Sequence, residues 1–479
     1  MIKRASGPSP RPARTIPFTP PSGEAVAMFA VALVLRAVYA LAIHGLQPQP
    51  SSDSLSYDTV AWNLARAMGY QLVANGAYYP TAFVPPGLPF VLSLLYRVVG
   101  HSFLAAVLLM CVIGACVPPL VRRLGRTMFG PSVGTTAGWL AVAHPLLVFF
   151  SGYVMTEPLF SVMLLVAMMG SVSWLKTPRA NLALGAGFLW GLTVLTRPTA
   201  LPLPLVVALW AWAPLGFMLS TQERIKQVAM LMLGMVLVIA PWTVRNAVAL
   251  HAFVPVTTGG GRSLLDSNNA LVWHDAAQRG GAIAVLTTEP WATRFKDLSE
   301  VQVDRAAGQE AWAFITANLH EWPSVAVAKL ARLWRWNAFT PSTGDWFTGH
   351  AGLGAVLRRV DPLMVWSLLM WPLAAFGLWR TVRGTRRHFQ LLPLHVIALF
   401  TIGSTLYWGA LRMRVPVEPL VVLYAGVGLA RLIWRIRVKR AGLALNAIET
   451  RPGTNPDRAS FTTALEDRKS TRLNSSHRT

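Results

Sequence analysis

Apolar runs near 20 residues recur along the chain, each the length that crosses a ~30 Å hydrocarbon layer as a helix. They fall at roughly 25–46, 102–121, 131–150, 158–175, 181–196, 200–218, 228–244, 362–380, 391–409 and 415–434, which predicts about ten transmembrane helices. The expected fold is an all-α polytopic membrane bundle. One run departs from the pattern. FVPPGLPFVLSLLYRVVG, residues 83–100, has three prolines in its first seven positions and only about a dozen residues after the last. It reads as a re-entrant or surface-lying element, allowed where irregular backbone is buried in protein.

Charge placement orients the bundle. With Lys3, Arg4, Arg11 and Arg14 on the cytoplasmic side, five clusters all fall inside: Arg122/Arg123/Arg126, Lys176/Arg179, Arg224/Lys226, Arg380/Arg383/Arg386/Arg387 and Arg435/Arg437/Lys439/Arg440. Counting 83–100 as a full span would put most of them outside. The chain then divides into a basic cytoplasmic segment 1–24, a transmembrane module 25–244 with a first outer loop 47–101, an outer loop region 245–361, C-terminal transmembrane helices 362–440 and a cytoplasmic tail 441–466. Residues 467–477, DRKSTRLNSSH, read as one translated frame of a common DNA sequencing adapter, so 467–479 is expected to be non-native. The alternative is a natural polar tail, too polar to bury a core.

The two outer loops far exceed the median connection of about 4 to 6 residues. In the first, Tyr57, Val60, Ala61, Leu64 and Met68 recur at helical spacing opposite Asp58, Asn63 and Arg66, predicting an amphipathic helix on the membrane that Gly69 closes. In the second, 301–336 reads similarly, and KLARLWRW sets Lys329, Arg332 and Arg335 among tryptophans suited to the headgroup layer.

Composition agrees. The chain is 53% hydrophobic and 13% charged, with a net charge of +23 carried in the short basic clusters, so nucleic acid is not an expected partner. Cys111 and Cys116 share one apolar run, five apart, and offer no disulfide framework or zinc site. The first apolar run is too long for a signal-peptide core and lacks a small-residue cleavage site, so it is expected to stay as an anchor.

Polar residues stand out against this background. In SSDSLSYD (51–58), Asp53 sits at the start of the surface helix, where a carboxylate serves either as N-cap or as a general base taking a proton from a hydroxyl. In GYVMTEPLF, Glu157 falls between the third helix and Pro158 of the fourth. Two carboxylates from separate outer loops can converge on one water-accessible cavity, and Asp53 and Glu157 are also the pair that would hold a divalent cation (Mg or Mn) if one is used. Arg197, Arg245, Arg412 and Arg414 lie at predicted outer helix ends, either as snorkelling anchors or as a clamp whose planar guanidinium groups pair with phosphate. Arg36 lies inside the first helix, packed against the bundle or facing a cavity. TTGGGRSLLDSNN (257–269) lacks the GK[ST] of a P-loop; it is a flexible loop, or a carbohydrate or phosphate contact through backbone N–H, Asn268 and Asn269, with Asn246 just before it.

These stretches resemble a known family, the polyprenyl-phosphate-dependent glycosyltransferases of the GT-C fold. The likeness is to glycosyltransferase family 39, with its protein O-mannosyltransferases and aminoarabinose transferases. It is carried by SDSLSYDTVAWNLARAMGY, PPGLPF, TEPLF, LTRP, APWTVRNAVALHAFVPVTTGGG and RMRVPVEPLVVLYAGVGL, in that order from about residue 25 to 434. The resemblance implies that Asp53 is the catalytic carboxylate, with Tyr57 in the same loop motif. It matches Glu157 to a second acidic position that is Asp in some relatives, and Arg197 to a Lys near the lipid phosphate. Where some relatives place Lys before the first proline of PPGLPF, this chain has Val84, and Arg245 or Arg414 is the candidate to compensate.

The implied reaction transfers a sugar, with inversion, from a polyprenyl-phosphate carrier to an acceptor hydroxyl on a lipid, glycan or protein. It would run on the outer face of the cytoplasmic (inner) membrane. Two rivals handle similar lipids: a transporter or flippase, which predicts charged or broken-helix sites near mid-bilayer, and a polysaccharide polymerase or ligase.

Overall fold

Ser22 opens the first helix by accepting a hydrogen bond from the Ala25 amide, and the 22-residue apolar run behind it is long enough to cross a bilayer. The computed structural model describes residues 22–74, 76–212, 219–336, 361–384 and 388–449. The basic segment before residue 22, Arg386, Arg387, residues 337–360 and everything from 450 on lie outside the described residues. Two compact units divide the chain, Met1–Leu429 and Ala430–Thr479.

In chain order the elements begin with α1 (Gly23–His44), α2 (Asp53–Ala65), a hairpin of β1 (Gln71–Ala74) and β2 (Ala77–Pro80), and α3 (Gly87–Val99). The bundle continues with α4 (Phe103–Ala115), α5 (Val117–Phe129), α6 (Pro131–Ala143), α7 (Pro145–Ser151), α8 (Thr156–Lys176), α9 (Ala180–Thr196), α10 (Leu203–Trp212) and α11 (Thr221–Leu250). A second helical region holds α12 (Gly260–Ser267), α13 (Ala270–Trp273), α14 (Trp291–Arg294), α15 (Glu300–Ala317) and α16 (Trp322–Leu333). The chain returns to the bundle with α17 (Pro362–Gly384), α18 (Leu392–Leu406), the single turn α19 (Leu411–Arg414) and α20 (Glu418–Glu449).

Among the described residues seven helices are long and apolar enough to span a membrane, so this is a multi-pass membrane protein. The expected run at 131–150 makes an eighth only as a bent pair, α6 and α7, which meet at 54°. Pro145 is the cause: it has no N–H to donate and it pushes His144 out of the helical region, to φ −66°, ψ 117°. The other two expected spans, near 181–196 and 200–218, are the shorter apolar helices Ala180–Thr196 and Pro198–Trp210. About ten apolar segments therefore resolve into seven or eight full-length spans and two short ones.

The bundle closes by backbone approach. A Cβ at Gly187 of α9 would meet the Leu231 carbonyl oxygen of α11 at 1.9 Å, and one at Gly234 would meet the Leu184 oxygen at 2.2 Å. Small residues let two membrane helices touch backbone to backbone, which dispersion then rewards.

The first long connection differs from a plain amphipathic helix. Tyr57, Val60 and Ala61 of α2 are buried, but so are Asp58 and Asn63 on the face expected to be polar. Asp58 accepts from the Tyr96 hydroxyl at 2.5 Å and pairs with His101 Nε2 at 2.9 Å, while Asn63 Nδ2 donates to the Gln71 carbonyl at 3.0 Å. The face is covered because β1, β2 and α3 fold over it, and the hairpin was not foreseen. At 13 residues α3 is too short to span, and it buries Leu88, Leu92 and Tyr96 while Phe90, Leu94 and Val98 stay exposed.

The second long connection is a small helical body with its own core of Leu265, Trp273, Val285, Ala307, Ala311, Ile315 and Val325. Residues 301–336 form two helices, most of α15 and all of α16. Lys329 leaves the expected headgroup position: it is buried, donating to Asn268 Oδ1 at 2.7 Å and to the Thr405 and Leu406 carbonyls at 3.2 Å. Glu300 joins the two long connections, accepting from Thr81 Oγ1 at 2.5 Å, the Ala82 amide at 2.9 Å and Thr258 Oγ1 at 2.5 Å.

Candidate active site

Asp53 is the first residue of α2. The N-cap is Ser52, whose side chain makes no capping bond and whose φ of 50° is unusual for a residue with a Cβ. The Asp53 carboxylate is turned instead to Arg412: Nη1 of Arg412 donates to Asp53 Oδ2. The same guanidinium donates from Nε to Glu157 Oε1 at 2.5 Å, and Arg197 Nη1 donates to that oxygen at 3.0 Å. Four charged side chains from α2, α8, the end of α9 and α19 thus form one alternating cluster.

Each is placed by local backbone. Glu157 lies in the first turn of α8, not between two helices, because proline is tolerated there and Pro158 leaves the helix intact. The positive end of the helix favours its carboxylate. Arg197 is the C-cap of α9, extended at φ −154° ahead of Pro198. Gly87 packs where a Cβ would meet Thr196 Oγ1 at 2.7 Å, so PPGLPF abuts the end of α9.

Exposure grades across the cluster. The Glu157 side chain is 0% exposed and that of Asp53 46%, with Arg412 between them at 21% and Arg197 at 10%. Glu157 Oε2 is buried with no hydrogen-bond partner among the described residues. Tyr57 is buried alongside. Burial pushes its hydroxyl up to about 12, with the Asp53 and Glu157 carboxylates adding to the rise and Arg412 and Arg197 opposing it.

The remaining candidates stand elsewhere. Arg245 gives Nη1 to the Thr81 carbonyl at 2.6 Å and Nη2 to the Tyr70 carbonyl at 2.7 Å, and stacks over Tyr70 and Trp242. It ties the first connection to α11. Arg414 is buried, bonded to Glu418 and to the Leu333 and Arg335 carbonyls, and Glu418 in turn meets His144 Nε2 at 3.1 Å. Asn246 donates to the Val254 and Val256 carbonyls, Asn268 to Leu264 and Leu406, and Asn269 caps α13 by accepting from the Val272 amide. At the glycine-rich turn the Gly261 and Arg262 amides already donate to Asp304 Oδ1, so the anion there is internal. Arg36 packs against the bundle, donating to Ser151 Oγ and the Ala32 and Val142 carbonyls.

Arg412 stands where Asp53 and Glu157 would share a divalent cation. Among the described residues no group of three or more His, Cys, Asp or Glu could hold a metal ion. The His144–Glu418–Arg414 network was missed in the sequence, although a His and a Glu inside apolar runs are the signal for such a pairing.

Residues 84–244 match the model of a protein family described as dolichyl-phosphate-mannose-protein mannosyltransferase. No curated protein matches the chain in sequence. Among solved structures the chain is similar to the archaeal oligosaccharyltransferase AglB from Archaeoglobus fulgidus, described in complex with an inhibitory peptide and a dolichol-phosphate. The TM-score is 0.52 at 15% identity, over 93% of this chain and 55% of that one. The apo form of the Archaeoglobus fulgidus oligosaccharyltransferase matches with a TM-score of 0.51 at 14% identity, over 92% and 54%. The chain thus spans about half the length of these two structures. Helix order, motif order and these comparisons agree on a multi-pass membrane protein of GT-C fold, similar over residues 84–244 to the dolichyl-phosphate-mannose-protein mannosyltransferases.

Proposed function

We propose that the protein is a glycosyltransferase that moves a sugar from a polyprenyl-phosphate carrier to an acceptor hydroxyl. The observation that carries this reading is the half-exposed Asp53 carboxylate paired with the Arg412 guanidinium, which a buried Glu157 holds together with Arg197. Asp53 takes the proton of the acceptor hydroxyl as its oxygen attacks the anomeric carbon. The bond from that carbon to the phosphate oxygen breaks, and its electron pair leaves on the phosphate. A carrier phosphodiester with one negative charge becomes a monoester with up to two. Arg412 and Arg197 are the cations positioned to meet that gain, and charge that develops in the transition state is where fixed donors help most. Attack from the face opposite the phosphate inverts the anomeric centre.

The membrane side follows from charge. Asp53 follows the end of α1 opposite Glu24, and Glu24 pairs with Arg122 of the basic cluster at the other side of the bundle. The positive-inside rule puts that cluster in the cytoplasm and Asp53 on the outer, periplasmic face of the inner membrane. No nucleotide sugar is needed there, since the carrier brings its own phosphate bond. Family and neighbour names support the donor class: one is described as dolichyl-phosphate-mannose-protein mannosyltransferase, the other was solved with dolichol-phosphate. Acceptor and sugar are tested together by supplying a panel of labelled polyprenyl-phosphate sugars to the protein in proteoliposomes and identifying the labelled product. Absence of transfer from every donor, with the Arg412→Gln variant indistinguishable from wild type, overturns the reading.

A further inference from the structure

Arg412 cannot give a donor phosphate the atom it has committed to Asp53, and Asp53 Oδ2 cannot meet an acceptor hydroxyl while Arg412 Nη1 occupies it. The two partners of Arg412 are unequal. Glu157 is fully buried and shares its bonded oxygen with Arg197, whereas Asp53 is nearly half exposed. Separating an ion pair is cheap where water replaces the lost partner and costly where it does not.

We propose that Arg412 is a substrate-operated latch: in the free protein it closes on Asp53, and a donor phosphate draws Nη1 away while Nε stays on Glu157, releasing the base only when donor is bound. This rests on the reading of Asp53 as base and of a polyprenyl phosphate as donor. The backbone beneath Arg412 is held still. Its neighbour Met413 meets Arg197 Nη2 through Sδ, and Arg414 is bound to Glu418 and to the Leu333 and Arg335 carbonyls. The exchange therefore needs only side-chain rotation at Arg412. It also orders the reaction, because an acceptor that arrives first meets a carboxylate oxygen already taken by Arg412.

The test is the affinity of undecaprenyl phosphate for the full chain in lipid nanodiscs, in wild type, Asp53→Asn, Asp53→Ala, Arg412→Gln and the double variant Asp53→Asn/Arg412→Gln. Unfolding midpoints are matched first. The latch predicts that both Asp53 variants bind about five-fold tighter, the upper range for a partly exposed ion pair, although they no longer transfer. Asp53→Ala leaves no amide to hold Arg412, so it repeats the result. Arg412→Gln binds more weakly, and adding Asp53→Asn to it changes nothing further. If wild type binds and the Asp53 variants bind equally, the latch is wrong while the donor reading stands. Tightening that persists without Arg412 also overturns the latch, by reducing it to general repulsion. If no variant binds the lipid, the donor reading falls and the latch with it.

Discussion

Arg412 Nε donates to Glu157 Oε1 at 2.5 Å, joining two residues 255 apart in the chain. Glu157 is fully buried and Arg197 bonds the same oxygen, so its charge fixes both cations. Breaking a buried pair leaves uncompensated charge. Glu157→Gln should therefore lower stability by about 3 kcal/mol, read as a fall in the unfolding midpoint of the purified protein, and Glu157→Asp by less.

Arg412 itself should tolerate no replacement. Arg412→Gln is expected to cut turnover about 100-fold or more, the usual cost of removing one preorganised donor from a site of developing charge. Lysine should recover little, since a point charge cannot reach two carboxylates in the planar fork that Nε and Nη1 provide. Steady-state kinetics on both variants checks this.

Lys329 makes stability depend on pH. Burial lowers its pKa to about 7, and its partners are the Asn268 side chain and two carbonyls. Between that value and the unfolded pKa near 10.4, the unfolded chain binds the extra proton. Stability should rise with pH through this window, with a slope approaching about 1.4 kcal/mol per pH unit from this group. Unfolding midpoints from pH 7 to 9 should climb in wild type and climb less in Lys329→Met.

The α9–α11 crossing has room for nothing. Gly187→Ala sets a Cβ against the Leu231 carbonyl and should destabilise by about 1 to 3 kcal/mol as the helices part. Gly185→Ala, two residues away with open space at its Cβ, is the control and should be neutral or slightly stabilising.

Much of this was legible in the sequence, for reasons that differ by residue. Apolar length alone marked the helices, and Pro131, Pro145 and Pro158 lie at or near helix starts. Three prolines marked 83–100 as a non-spanning element, and it folds as a 13-residue helix. Two kinds of feature were not legible. Long-range pairing was one: nothing local says that Arg412 goes to Asp53 while Arg414, two residues on, turns to Glu418. On a short helix, side chains two apart point to different sides. The other was partner-dependent burial. Asp58, Asn63 and Lys329 look like solvated charges and amides by type, and are buried only because the hairpin, α3, His101 just after it and α18 bring carbonyls, a phenol and an imidazole to them. Arg245 and Asn246 likewise read as substrate groups and serve as backbone ties.

The central claim is that Asp53 removes the acceptor proton in transfer from a polyprenyl-phosphate sugar. The direct measurement is the single-turnover rate of sugar transfer in proteoliposomes with saturating donor, for wild type and Asp53→Asn at matched protein level. The account predicts a loss of about 100-fold or more in Asp53→Asn with donor binding retained. Equal rates would contradict it, and leave Asp53 as no more than a partner for Arg412 at the start of α2.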